Sequence, residues 1–277
     1  MNPRPSKLYR PLFALLVGTL LSAGPALGQS SSGADASPSD AFPSDASPPL
    51  RPLQVVDSLR AAGDFRTGLT RLYELSRDYP ESVEVRWRYA ILWSDYGKSV
   101  DKNTQAVSAF RKGLKWADRA LEADPSSAWA HLSKAAAAGR AALLADGNKE
   151  SIRLSRLVKD HADRAIELDP TLAPAYHVRG AWHGAVADLG FIQRAVVRAV
   201  YGGLPDASFE QAVADLQRSI ELESHAYSHL ELGQAYLKMG KTEAARNQLQ
   251  MALDAPLNDP FAPQDKLKAR KLLDKLE

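Results

Sequence analysis

ADRALEADP at 117–125 returns as ADRAIELDP at 162–170, and more loosely as LQRSIELES at 216–224. Two nearly identical nonapeptides 45 residues apart mark an internal repeat, because a non-repetitive fold gives no reason for such a match. Pro80, Pro125 and Pro170 keep the same 45-residue step, Ser224 follows 54 residues on, and Pro256 closes a last unit 32 residues later. A fresh segment opens after each of the first three prolines: ESVEVRWRYAILW, SSAWAHLSKAAAA and TLAPAYHVRGAWHG. Their apolar residues recur at helical spacing, and nothing from Leu53 onward alternates as a strand does. Proline fits the first turn of a helix but not its interior, so each proline separates one helix pair from the next.

The last unit resembles a tetratricopeptide repeat. Gly233 and Tyr236 in its first helix, Gly240 in the turn, and Ala245, Leu249 and Ala252 in its second fall where that motif places small, aromatic, turn and small residues. Small residues at Gly233 and Ala245 would let the two helices approach closely. The 45-residue step exceeds the usual repeat of about 34 by close to three helical turns, so lengthened helices are expected. The expected pairs are 82–96 with 103–124 and 126–145 with 149–168, preceded by a leading hairpin, 53–62 with 65–79. In the third unit one long helix from about 172 is expected to run to YGGLP at 201–205, kinked near Gly190. Ser208 with Gln211 three residues on then has the pattern of a capping box, and 263–276 form a terminal capping helix. The fold class is all-α: a tetratricopeptide-like helical hairpin solenoid, an α-α superhelix whose inner face is laid by the first helix of each pair.

The repeat domain spans 53–277 of the 277 residues. Residues 1–28 read as a signal peptide: Arg4, Lys7 and Arg10 precede the apolar run LFALLVGTLL, and Ala26-Leu27-Gly28 supplies small residues before Gln29. The expected setting is therefore export, to a periplasm in a bacterium. The alternative is a membrane anchor over residues 11–27, which is short for a span. Residues 29–52, rich in Pro, Ser and Ala, read as a disordered linker. Lys and Arg number 35 against 33 Asp and Glu; removing the three leader cations leaves 32 against 33. Such a balance gives no electrostatic footprint for nucleic acid. The absence of cysteine excludes disulfides, thiolate catalysis and cysteine-ligated metals.

From about residue 83 onward the chain is similar to the regulator of microtubule dynamics family. The matching pieces are VEVRWRYAILWSDYG (83–97), ADRALEADPSSAWAHLS (117–133), IELDPTLAPAYHVRGAWHGAVADLGFIQRAV (166–196), YGGLPDASFEQAVADLQRSIEL (201–222) and LELGQAYLKMGKTEAARNQL (230–249). Arg179 stands where relatives usually have leucine, and Ala181 where an arginine is usual. The resemblance implies the repeat fold. It also implies an exported bacterial relative, in which the microtubule association of eukaryotic members would have no object.

No catalytic set is legible, and no cofactor or metal is expected. Gly240-Lys241-Thr242 lacks the upstream glycine and strand of a phosphate loop. His225 and His229 share a helical face without a third ligand, and His177 and His183 lack a nucleophile. The recurring Asp118, Asp124, Asp163 and Asp169 suit a solvated face or a helix-end contact. What remains is the inner surface, where Trp87, Trp129, Leu132, Tyr176, His177, Leu230 and Gln234 are the candidate groove residues. They read either as core between hairpins or as a groove for a protein or peptide, with a lipid or other apolar small molecule as the alternative occupant. The expected function is a non-enzymatic binding scaffold.

Overall fold

The computed structural model describes residue 48 and residues 50–277; the expected signal peptide and most of the expected linker lie outside the described residues. The described chain forms twelve helices: α1 Leu50–Ala61, α2 Phe65–Asp78, α3 Val83–Ser99, α4 Asn103–Ala123, α5 Ala128–Leu143, α6 Asn148–Leu168, α7 Ala173–Ala187, α8 Phe191–Tyr201, α9 Phe209–Leu222, α10 Ala226–Lys238, α11 Thr242–Asp254 and α12 Ala262–Leu273. α3 packs on α4, α5 on α6 and α10 on α11, and α4 against α5 and α6 against α7 join one pair to the next.

The 45-residue period has a chemical basis. Ser82 and Ser127 are equivalent, and each caps its helix by accepting the N–H of Val85 or Ala130. Asp124 accepts from the Ser126 N–H and hydroxyl at 2.8 and 2.6 Å, and Asp169 treats Thr171 alike at 2.9 and 2.6 Å. Arg86, His131 and Tyr176 share no chemistry except a donor, yet each reaches back to the repeat proline's carbonyl. Arg86 bonds Pro80 O at 2.7 Å, His131 Nε2 bonds Pro125 O at 3.0 Å, and Tyr176 Oη bonds Pro170 O at 3.2 Å. Asp118 pairs with Lys134, and its equivalent Asp163 pairs with Arg179 at 3.2 Å, tying each second helix to the next first helix. Arg179 also grips Asp215 of α9 at 2.6 and 2.9 Å, which gives its departure from leucine a structural use.

The third unit differs from the sequence expectation. Instead of one kinked helix, α7 stops at Ala187, Gly190 is extended, and α8 starts afresh at Phe191. Arg194 donates to Ala187 O at 2.5 Å and Leu189 O at 3.0 Å, capping carbonyls that a continuous helix would have used itself. α9, capped by Ser208 as expected, is the partner of α7, so α8 is an insertion within a hairpin.

Close approach explains two glycines. A Cβ on Gly180 would lie 2.9 Å from Leu216 Cγ and 3.2 Å from Ala212 O; on Gly233 it would lie 2.9 Å from Leu249 Cγ and 3.4 Å from Ala245 O. The same glycine–alanine–leucine contact therefore closes both pairs.

The ends of the array meet. Phe261, just before α12, stacks on Phe65 of α2 with centroids 5.7 Å apart, and the Lys98 ammonium of α3 sits 3.7 Å over the Phe261 ring. Phe261 is 2 % exposed and belongs to the apolar cluster of Leu53, Val56, Leu72 and Leu92. The C-terminal segment thus closes back onto the leading hairpin through the turn before α12.

Candidate functional site

Closure turns the inner face into an interior. Trp87, Leu132 and His177 occupy equivalent positions on α3, α5 and α7, and one turn further along each helix come Ile91, Ala136 and Ala181. One turn further still stand Asp95 and Arg140, both buried. Arg60 of α1 donates to Asp95 at 2.7 Å. The space bounded by Arg60, Ile91, Ser94, Asp95, Leu132, Ala136 and Arg140 is about 10 Å³, no more than one water needs.

Around this point charged groups converge from five helices. Burial lowers Lys98 to about 7, with Arg140 adding to the effect and Asp265 and Asp95 opposing it. Burial lowers Arg140 to about 10 against the pull of Asp95 and Asp265. Burial, then the Asp265 charge, raises Glu231 of α10 to about 8, with Lys268 and Lys98 opposing. Asp265 is fully buried and pairs with Lys268 at 2.9 Å. Sequence reading does not single out Asp95, Lys98, Arg140, Glu231 or Asp265, because only the return of the C-terminal segment brings them together. A charged residue on an inner stripe of Ile and Ala is the one signal that could have flagged them.

Linkage gives a pH test. Between about 4.5 and 8 the folded Glu231 holds a proton that the unfolded chain has lost, so its contribution to stability falls as pH rises. Between about 7 and 10.5 the unfolded Lys98 holds the extra proton, so its contribution rises with pH. The stability of Glu231→Gln relative to the parent should therefore grow from about pH 4.5 and level off near 8. That of Lys98→Met should shrink from about pH 7 to 10.5. Neither limb should exceed about 1.4 kcal/mol per pH unit, and both should be shallower because each side chain keeps some solvent contact. Urea melts across pH read both, and variant curves parallel to the parent's would overturn the assignment.

The candidate groove residues divide. Trp87 and Trp129 stack on each other at 4.6 Å, with the Arg88 guanidinium 4.1 Å over Trp87. Leu132 and Leu230 are buried. His177, also buried, meets Tyr227 edge-on at 4.4 Å and Ser228 at 3.3 Å, so its ring neighbour is on α10 while that of Trp129 is on α3. Tyr176 is half-buried and occupied by its proline carbonyl. Gln234 alone among the seven lines an open cleft, formed by Gly180, Ala181 and Gly184 of α7, Ala212 and Leu216 of α9, and Glu231 and Lys238 of α10. Its volume is about 60 Å³, its floor is apolar, and Lys238 pairs with Asp188 at 2.7 Å across the rim. A wider recess of about 490 Å³ between α2, α3 and α4, with Arg66, Trp93, Tyr96 and Lys112 in its wall, is open and polar-edged.

Reactive chemistry is missing from these surfaces. His225 meets Asn258 at 3.1 Å and Glu223 at 2.9 Å, whereas His229 meets Ser224 and Gln248 at 2.9 and 2.8 Å, so the two rings serve different partners. Among the described residues no group of three or more His, Asp or Glu could hold a metal. Stacked helix pairs with one shared inner face define an all-α helical-repeat protein of the tetratricopeptide type.

The profile of the family described as Regulator of microtubule dynamics protein 1-3 matches residues 53–277, and the chain belongs to that family. It is 30% identical to Regulator of microtubule dynamics protein 1 of Bos taurus over 226 residues, covering 80% of this chain and 70% of that protein. It is 26% identical to the human protein 2 over 212 residues, covering 74% of this chain and 50% of that one. Among solved structures it is similar to a thermophilic TPR protein of Thermus thermophilus, with a TM-score of 0.58 at 18% identity, covering 80% of this chain and 98% of that one.

Proposed function

We propose that the protein is a binding scaffold that holds a peptide segment of a partner protein along α7 and α10, with a small aliphatic side chain of that segment seated in the α7–α9–α10 cleft. The observation that carries this reading is the cleft: an apolar floor of Gly180, Gly184, Ala212 and Leu216 beneath a rim of Glu231, Gln234 and Lys238. A floor of that kind gives affinity by burial, and a polar rim gives orientation to a peptide backbone. At about 60 Å³ the cleft accepts a side chain, whereas a carrier for a lipid or other apolar molecule needs a pocket of roughly 300–1,000 Å³; the 490 Å³ recess has that volume but is open and edged by Arg66, Thr104, Gln105 and Lys112. The leader-like pattern of residues 1–28 supports an exported, periplasmic setting, in which the microtubules that give the family its name are not the partner. The N-terminus of the protein isolated from its host checks that setting.

Gly184 provides the test. A Cβ there meets only Ala212 Cβ at 3.8 Å, so Gly184→Leu fills the cleft without a clash at its root. Peptides selected on the parent from a random display library should bind Gly184→Leu at least about tenfold more weakly, with its thermal melt unchanged or raised. Equal binding to both proteins, or no enriched peptide, would overturn the proposal. An apolar mass retained from lipid extract in native mass spectrometry, and lost in Gly184→Leu, would favour the carrier instead.

A further inference from the structure

α8 breaks the rule that the other helices follow. Phe191 is 87% exposed, Ile192 76%, Val200 64% and Val196 41%, while Val197 is the helix's one buried residue. Ile192, Val196 and Val200 are four residues apart, so they form one stripe with Phe191 beside its start. Fraying does not explain this exposure, because the helix is bolted down at both ends. Gln193 Oε1 accepts the Gly190 N–H at 2.8 Å, and Arg194 holds the carbonyls of Ala187 and Leu189. At the far end Arg156 of α6 donates to Gly203 O at 2.6 Å and to Tyr201 O. The body of the protein thus holds an inserted helix with its apolar stripe turned outward.

Charge selects the occupant. α8 itself carries Arg194 and Arg198, both exposed, and no carboxylate; of the two acids that flank it, Asp188 is paired with Lys238 at 2.7 Å and Asp206 is exposed beyond the Gly202-Gly203 turn. A second copy laid stripe to stripe would bring like charges together. A helix of 11 residues is also only about 16 Å long and 10–12 Å across, well short of the roughly 800 Å² per partner of a stable dimer. A short helix with an apolar stripe and two arginines but no acid of its own suits the headgroup boundary of an anionic bilayer, where the apolar side chains enter and Arg198 meets phosphates. We propose that α8 is a membrane-surface contact, lying in the interface of anionic lipid through Phe191, Ile192, Val196 and Val200 with Arg198 at the headgroups.

The absence of cysteine allows a local readout on the full chain, so that any affinity of the leader for lipid does not enter. Ile192→Cys and, as a control on α2, Arg71→Cys are each labelled with an environment-sensitive fluorophore. They are mixed with phosphatidylcholine vesicles with or without phosphatidylglycerol. The probe at 192 should shift to the blue and be quenched by bilayer-embedded quenchers on the anionic vesicles, while the probe at 71 should not. Adding Arg198→Glu, or Phe191→Ser, should cut the bound fraction at the same lipid concentration by about tenfold, with unchanged circular dichroism. No shift at 192 overturns the proposal. So does an equal shift on pure phosphatidylcholine, which removes the role of charge. A shift that appears without vesicles and grows with protein concentration assigns the stripe to a second copy instead.

Discussion

Asp95→Ala is expected to lower the unfolding free energy by about 3–5 kcal/mol, the range for breaking one side of a buried ion pair. Its carboxylate takes the Arg60 Nε–H at 2.7 Å, and both side chains are buried. It is also the first of the carboxylates that offset the burial of Arg140. Without it two guanidinium groups remain in a space too small to hydrate them. Asp95→Asn, which keeps the shape and an acceptor, should fall between the parent and Asp95→Ala. Arg60→Met combined with Asp95→Leu should recover part of the loss, because a buried pair gains little over apolar packing of similar volume. Urea denaturation of the four proteins measures this. An Asp95→Ala midpoint indistinguishable from the parent's would mean that the interior is wet and the pair screened.

Phe261→Ala should cost a similar amount, about 3–5 kcal/mol, as removal of a buried aromatic does. It should also change the kind of unfolding. Phe261 joins the C-terminal pair to the leading hairpin through Phe65 and Lys98. With it gone, α10–α12 lose the apolar part of their tie to the leading hairpin and should open below the temperature at which α3–α6 unfold. Hydrogen exchange should then resolve two protection classes in the variant and one cooperative unit in the parent. Phe191→Ala is the matched control: the same substitution at an exposed site should move the midpoint by no more than about 0.5 kcal/mol. A single sharp transition in Phe261→Ala would show that the latch does not couple the ends.

The repeat was legible because its contacts are local. The Asp-Pro corners, the serine caps and the Gly233–Ala245 approach all lie within one hairpin or between neighbours, where a fixed offset in sequence is a fixed distance in space. The break at Gly190 was harder to see, since FIQRAVVRAVY is as helical in pattern as what precedes it. Only the capture of carbonyls by Arg194 separates the two helices. The interior was hidden for a different reason. Arg60, Asp95, Arg140, Glu231 and Asp265 are spread over 206 positions, and each alone reads as a polar residue on an amphipathic helix. Tyr176 and His177 show the converse: adjacent in sequence and similar in type, one serves the repeat corner and the other the packing between α7 and α10.

The latch also bears on how such a chain can lengthen. Open arrays of helix pairs gain or lose copies by duplication, since an added unit changes only its neighbours. Here an extra pair anywhere between α3 and α11 would carry Phe261 away from Phe65 and leave Arg140 and Asp265 without their opposite numbers across the axis. The number of repeats is therefore a fixed quantity rather than a drifting one. Variation in length is expected to collect where the latch does not feel it: ahead of α1, after α12, or as outward insertions such as α8.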